Sequence, residues 1–290
     1  MTKVRREKKG KVDWIREEYD TIGELVRVLI ERPKNNGMKY ANASETSSEQ
    51  LSGTNSLKQA LDFLNNGWTE KLGEIKKGLA TKSSVKTTQN TNRRRPTTGI
   101  VGYAPCVPNA ILGLPNSMIA TENTPVKVKA VTIVYCPSVS AGWKAEKLMK
   151  CGIEVLRIVN KLELDGVRVR LLIEGICSES HSDKTVAQFL VTVKDWRQPL
   201  DLAKIAFPVA HPSFLRRIAF KWLETVPDMN DKGFSHGYGT PIPVTESYEN
   251  LKSQYTEAGY LGDKDFLITA AMVAEEKFNA EAVMKRAGIK

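Results

Sequence analysis

Tyr135-Cys136-Pro137-Ser138-Val139-Ser140 puts one thiol and two spaced hydroxyls in six residues. The segment follows a β-like run and precedes a helical pattern, which is where open α/β sheets place their ligands. Three chemistries are open to it. Ser138 and Ser140 can cap the free N–H groups of the following helix. The same hydroxyls, with Lys144 as nearest cation, could hold an anion at the helix N-terminus. Cys136 could act as a nucleophile if the helix start lowers its pKa. Against that, Pro137 removes one N–H, and no histidine is placed beside the thiol as a base.

The remaining chain adds little catalytic vocabulary. It has no G-x-S-x-G turn, no G-x-x-x-x-G-K-[ST] loop and no His/Asp pair near a nucleophile. Cys106, Cys136, Cys151 and Cys177 form no C-x-x-C pair and read as reduced, buried thiols. His181, His211 and His236 are scattered without zinc spacing. The expectation is a chain with no catalytic residues, no metal and no cofactor.

Charge points outward instead. The net charge is +10, and it sits in two clusters. Residues 1–11 hold Lys3, Arg5, Arg6, Lys8, Lys9 and Lys11 against Glu7 alone. Residues 71–95 hold eight basic residues, ending in Arg93, Arg94 and Arg95, against Glu74 alone. Without these two clusters the chain is close to neutral. Clustered basicity suits a polyanion, most simply nucleic acid contacted through phosphate.

Elements that would position these groups follow from periodicity. Residues 13–31 read as an amphipathic helix ending before Pro33, with a basic tail ahead of it. Residues 34–98 read as a polar linker with short helices after Ser56 and Trp68. A compact domain is expected over 99–290. Within it, 103–120 reads as an irregular segment covering the core, with a short helix near 108–112. Residues 126–135 and 167–173 read as strands joined by a helix over 142–164, a right-handed parallel βαβ unit. The strand at 185–194 follows a short loop and should run antiparallel. Helices are expected at 200–207 and 212–225, the latter with a Phe214, Ile218, Trp222 stripe. Residues 227–247 read as a long loop. A helix at 246–257, a short strand over Leu267–Val273 and a helix at 275–286 complete the reading. No run reaches the ~18 apolar residues of a membrane span, and the basic N-terminus lacks the apolar stretch of a secretory signal.

This order of elements resembles the von Willebrand factor A-type domain over about 126–290. That family binds Mg²⁺ through an Asp-x-Ser-x-Ser loop. Ser138 and Ser140 match the serines, and Cys136 stands where the aspartate would be. A threonine and a second aspartate from later loops complete the family's site, but Ile268-Thr269-Ala270-Ala271 offers no carboxylate there. The resemblance therefore implies an α/β, A-like open sheet with flanking helices, a helical and partly extended N-terminal region, and a degenerate site. The chain is also similar to uncharacterised tailed-bacteriophage proteins. That likeness rests on Gly67-Trp68-Thr69-Glu70, on 107–113 and on His211-Pro212-Ser213-Phe214-Leu215-Arg216-Arg217. It implies a viral protein in host cytoplasm or virion.

Three functions are thus expected in order. The first is a non-enzymatic binding protein whose basic tail and linker contact nucleic acid or an acidic protein surface. The second is a virion assembly protein whose extended arms contact other subunits. The third is a Mg²⁺-dependent adhesion-like module, against which the missing carboxylates argue.

Overall fold

A computed structural model describes residues 3–9, 12–33, 42–79, 92–125, 129–180, 185–227, 238–242 and 247–275. The body is a mixed α/β sheet flanked by helices. Its strands are β1 (Lys3–Lys9), β2 (Val12–Tyr19), β6 (Ala130–Cys136), β7 (Arg168–Glu179), β8 (Thr185–Lys194), β9 (Thr240–Pro241) and β10 (Phe266–Thr269). The spatial order is β1-β2-β8-β7-β6-β10, with β9 on β7. β6 pairs parallel with both β7 and β10, and β8 is antiparallel to β7. The parallel unit and the antiparallel turn thus form as the periodicity predicts.

The helix joining β6 to β7 is α7 (Ala145–Leu164). It buries Leu148, Val155, Leu156, Ile158, Val159 and Leu162 on the sheet. Each is worth roughly 1.5–3 kcal/mol of transfer free energy. Gly152 brings α7 against α8 (Leu202–Ala210), where an added Cβ would lie 2.3 Å from the Val209 carbonyl oxygen. A π-helix, Phe214–Ala219, then runs into α9 (Phe220–Thr225), and Phe214, Ile218 and Trp222 are all buried as the stripe requires. α1 (Ile22–Glu31) and α4 (Leu57–Asn66) complete the packing on this face.

The opposite face is thinner. Trp14, Val134, Leu172, Val186, Leu190 and Leu267 form its apolar row, covered by Leu251 and Tyr255 of α10 (Tyr248–Glu257). A bulge at Gly175 keeps the two faces in step. It lets Ile176 return to the helix-covered core after Glu174, and the Phe189 ring occupies the space a side chain would need.

The N-terminal third differs from the expected tail, helix and linker. Residues 12–19 are strand rather than helix, and β2 pairs parallel with β8 inside the main sheet. The helix starts only at Ile22, capped by Thr21, whose side chain accepts from the Glu24 N–H. Charges concealed the strand: Arg16 and Glu17 are buried because partners await them. The Glu17 carboxylate accepts from Tyr19, from Arg32 at 2.9 Å and from the Trp222 indole N–H at 2.8 Å. The basic cluster ahead of it is the edge strand β1, antiparallel to β2.

Residues 42–56 are likewise fixed. They form α2 (Ala43–Thr46) and α3 (Glu49–Ser52). Arg217, fully buried, donates to the carbonyl oxygens of Ser44, Ser47 and Thr54 at 3.0, 2.7 and 2.7 Å and to the Thr54 hydroxyl at 2.8 Å. Glu224 accepts from the Ser44 N–H and hydroxyl. Arg216 reaches the carbonyls of Leu51 and Trp143. Polar composition here marks hydrogen bonding to buried arginines, not a free connector. α5 (Leu72–Leu79) follows, with Ile75 and Trp68 in the core.

A second sheet stands apart. β3 (Asn92–Gly99) pairs antiparallel with β5 (Met118–Pro125), and the two-residue β4 (Ala104–Pro105) pairs with β5 on its other side. The segment expected to be linker up to 98 therefore supplies a strand, and 103–120 does not cover the core. The expected short helix is present as α6 (Val107–Ile111). At the C-terminus, β10 is shorter than expected and gives way to α11 (Ala270–Ala274); the expected final helix lies outside the described residues beyond Glu275.

Candidate functional site

At the C-terminal end of β6 the thiol and hydroxyls are drawn inward. Cys136 is fully buried and Ser138 nearly so, whereas Ser140 and Lys144 are exposed. The register Tyr135–Ile173 sets Cys136 beside Glu174 of β7. Burial pushes the Cys136 thiol well above its usual range; the adjacent Glu174 carboxylate adds to this, and hydrogen bonds from Ser138 oppose it only in part. A thiol so held stays protonated and is no nucleophile. Glu174 accepts from Gln188 and from the Tyr255 hydroxyl. Gln188 in turn accepts from Arg16 Nε at 2.5 Å. A polar row thus crosses four strands beneath α10, and it is sealed.

The expected capping role is not found. α7 begins five residues after Ser140, its N-cap is Lys144, and no side chain caps it. The anion site proposed from Ser138, Ser140 and Lys144 is split between interior and surface. Mg²⁺ does not fit here either. Thr269, paired with Cys136, uses its hydroxyl to accept the Met272 N–H at 3.2 Å as the cap of α11. Among the described residues no three or more His, Cys, Asp or Glu gather as a cation cage. Magnesium wants oxygen ligands with carboxylate charge, which a protonated thiol and a committed hydroxyl do not supply.

The basic residues take a different arrangement from a free tail. Lys3, Arg5, Arg6, Lys8 and Lys9 lie on β1, and Lys11 lies outside the described residues. Arg5 Nε is 3.1 Å from the Glu18 carboxylate, and Arg6 is exposed. Basic residues on an edge strand also block sheet-to-sheet pairing. Arg93, Arg94 and Arg95 sit on β3 at the stem of the second sheet; their side chains lie outside what is described.

The most unusual surface is the one the composition placed inside. Between Gly99 and Met118, at the tip of the β3–β5 hairpin, Ile100, Val101, Tyr103, Val107, Ile111, Leu112 and Leu114 are exposed by 46–82%. No residue from 96 to 122 is buried. Residues 96–121 contain no Asp, Glu, Lys or Arg. The tip is nonetheless built. The Tyr103 N–H donates to the Ile119 carbonyl at 2.9 Å, and the Cys106 N–H to Ser117 at 2.7 Å. The Leu114 N–H reaches the Asn109 carbonyl at 3.0 Å, and the Asn109 side-chain amide reaches Asn116 at 2.8 Å. Gly102 allows the loop to lie on β5, since a Cβ there would meet the Ile119 oxygen at 2.1 Å. The tip is thus a contiguous, uncharged apolar patch on a hydrogen-bonded frame, a kind of surface that single soluble chains rarely expose. Sequence reasoning missed it because apolar residues between prolines read as core; the absence of charge over 26 residues was the available signal.

Fold and surfaces together define a mixed α/β protein with a sealed strand-end cluster and a projecting apolar arm. A family model described as a domain of unknown function, DUF7192, matches residues 6–287, and the chain belongs to that family. The match spans body and arm together. No curated protein and no solved structure matches the chain. No helix among the described residues is long and apolar enough to cross a membrane.

Proposed function

We propose that this chain is a non-enzymatic binding protein that works through protein–protein contacts, with the arm of residues 92–125 as its contact organ. The observation that carries the reading is a hydrogen-bonded tip in which no residue from 96 to 122 is buried. A small sheet needs an apolar face packed on something to be stable by itself. Among the described residues this one buries no side chain from 96 to 122, and on our reading its missing core belongs to a partner. The sealed, protonated Cys136 supports a non-catalytic body. The strand order β8-β7-β6-β10, with β8 antiparallel, supports a degenerate A-type body. Together with the phage-like segments, this favours a virion or similar assembly as the setting.

A benzophenone side chain placed at Ile111 tests the reading in the fraction where the protein resides. Cross-linking to protein from position 111, with none from exposed Lys150 on the body, is the expected result. Equal labelling from both positions, or labelling of nucleic acid alone, overturns it.

A second reading rests on β1, whose basic residues line the open edge of the main sheet. On this reading the edge contacts nucleic-acid phosphate. Affinity would then fall steeply with salt, and charge reversal at Lys8 and Lys9 would flatten the slope. Filter binding that shows no salt-sensitive affinity removes this reading.

A further inference from the structure

We infer that the surface covering the arm tip is the same tip of a second copy of this chain, so that the protein self-associates through its arms. The inference rests on the protein-contact reading above and names the partner. Three observations lead to it.

The first is area. The exposed apolar side chains between Ile100 and Leu114 leave on the order of 900 Å² open, about what one partner contributes to a standard interface. Two tips face to face would form an interface of ordinary size with no residual apolar patch. A smaller pocket on an unrelated protein would leave part of it wet.

The second is charge. The chain carries +10, so two copies repel over most of their surface. The stretch 96–121 has no charged residue, which makes it the longest surface segment where copies meet without electrostatic cost. A partner selected for a cationic protein would be expected to meet charge as well as apolar surface.

The third is symmetry. A two-fold contact places one patch on itself, and an apolar patch without charges can pack against its own copy. β5 adds to this, because β4 pairs with it only at Met118 and Ile119, leaving its outer edge free of intramolecular partners past Ala120 among the described residues.

Sedimentation velocity on the purified full-length chain tests the inference across a wide concentration range. A monomer–dimer equilibrium is expected, unchanged or tightened by added salt because the contact is apolar. The paired change Val101→Asp with Ile111→Asp should weaken it by about 100-fold or more. Trp196→Ser, at an exposed aromatic on the body, should leave it unchanged. Circular dichroism matching the parent confirms that the variants fold. A chain that stays monomeric throughout, a dimer indifferent to the tip changes, or a monomer whose tip binds phosphatidylcholine vesicles each overturns the inference. If the chain is monomeric and position 111 still cross-links to another protein, the self-partner falls and the protein-contact reading stands. If both experiments fail, both readings fall.

Discussion

In the body, groups with chemical potential lie inside: Arg16, Glu174, Arg217 and Glu224 are almost or completely inaccessible, and each is hydrogen-bonded. In the arm the pattern reverses, and large apolar side chains face solvent on a frame of ordered backbone hydrogen bonds. The body spends its polar groups on its own architecture. Arg217 alone secures a segment 160 and more positions away. In the arm the frame is mostly backbone, with the Asn109 amide reaching Asn116. If the proposed reading holds, unfinished packing marks the contact surface of this molecule better than reactive side chains do.

Changes to the body should therefore cost stability, and changes to the tip should not. The largest loss is expected from Arg217→Met, which strands the carbonyls of residues 44–54; urea denaturation should show a loss of about 3 kcal/mol or more. Retained stability would show that the segment is held by other means. Gly175→Ala forces a Cβ to within 1.7 Å of the Phe189 ring and should cost about 2–3 kcal/mol in the same assay.

His211 provides a pH test. Burial, with Lys71 adding to it, lowers its pKa to about 4. Its Nδ1 accepts the Ser213 N–H at 3.1 Å. The unfolded chain, with an ordinary histidine pKa near 6.5, takes up the proton first. This contribution is full above pH ~6.5 and is lost as pH falls towards 4, by up to about 3 kcal/mol. His211→Asn should flatten that part of the stability–pH curve relative to the parent. Equal slopes would break the contrast, because they would mean the interior tolerates charge.

Thiol labelling sharpens it further. Cys106 in the arm should react with a disulfide reagent in the native protein, and Cys136 only on unfolding. The smallest effect is expected from Ile111→Asp, within about 0.5 kcal/mol of the parent by denaturation. A large loss at a concentration where the chain is monomeric would mean the tip packs on its own chain.

The strand, helix, strand and antiparallel strand from Ala130 to Lys194 were legible because their side chains follow the periods of the elements. So was the Phe214, Ile218, Trp222 stripe. β2 was not, because Arg16, Glu17 and Glu18 stand consecutively and break the alternation on a strand buried on both faces, and their partners come from distant segments. Nor was the order in 42–56, since nothing local announces that Arg217 will turn inward. The sealed state of Cys136 depends on Glu174 and α10, which no motif links to it. The arm was misread for the opposite reason: its apolar residues carry the usual signature of burial without the contacts.

The parallel pairing of β2 with β8 has a consequence for how the chain is made. Arg16 meets Gln188 across 172 positions. The β1–β2 hairpin is made before β8 and cannot enter its sheet until β8 has followed. During that interval β2 is paired on one edge with β1 and unpaired on the other. Closing so long a loop is a slow, late step. Formation of the β1–β2 hairpin is thus separated in time from its docking in the sheet, which must wait for β8.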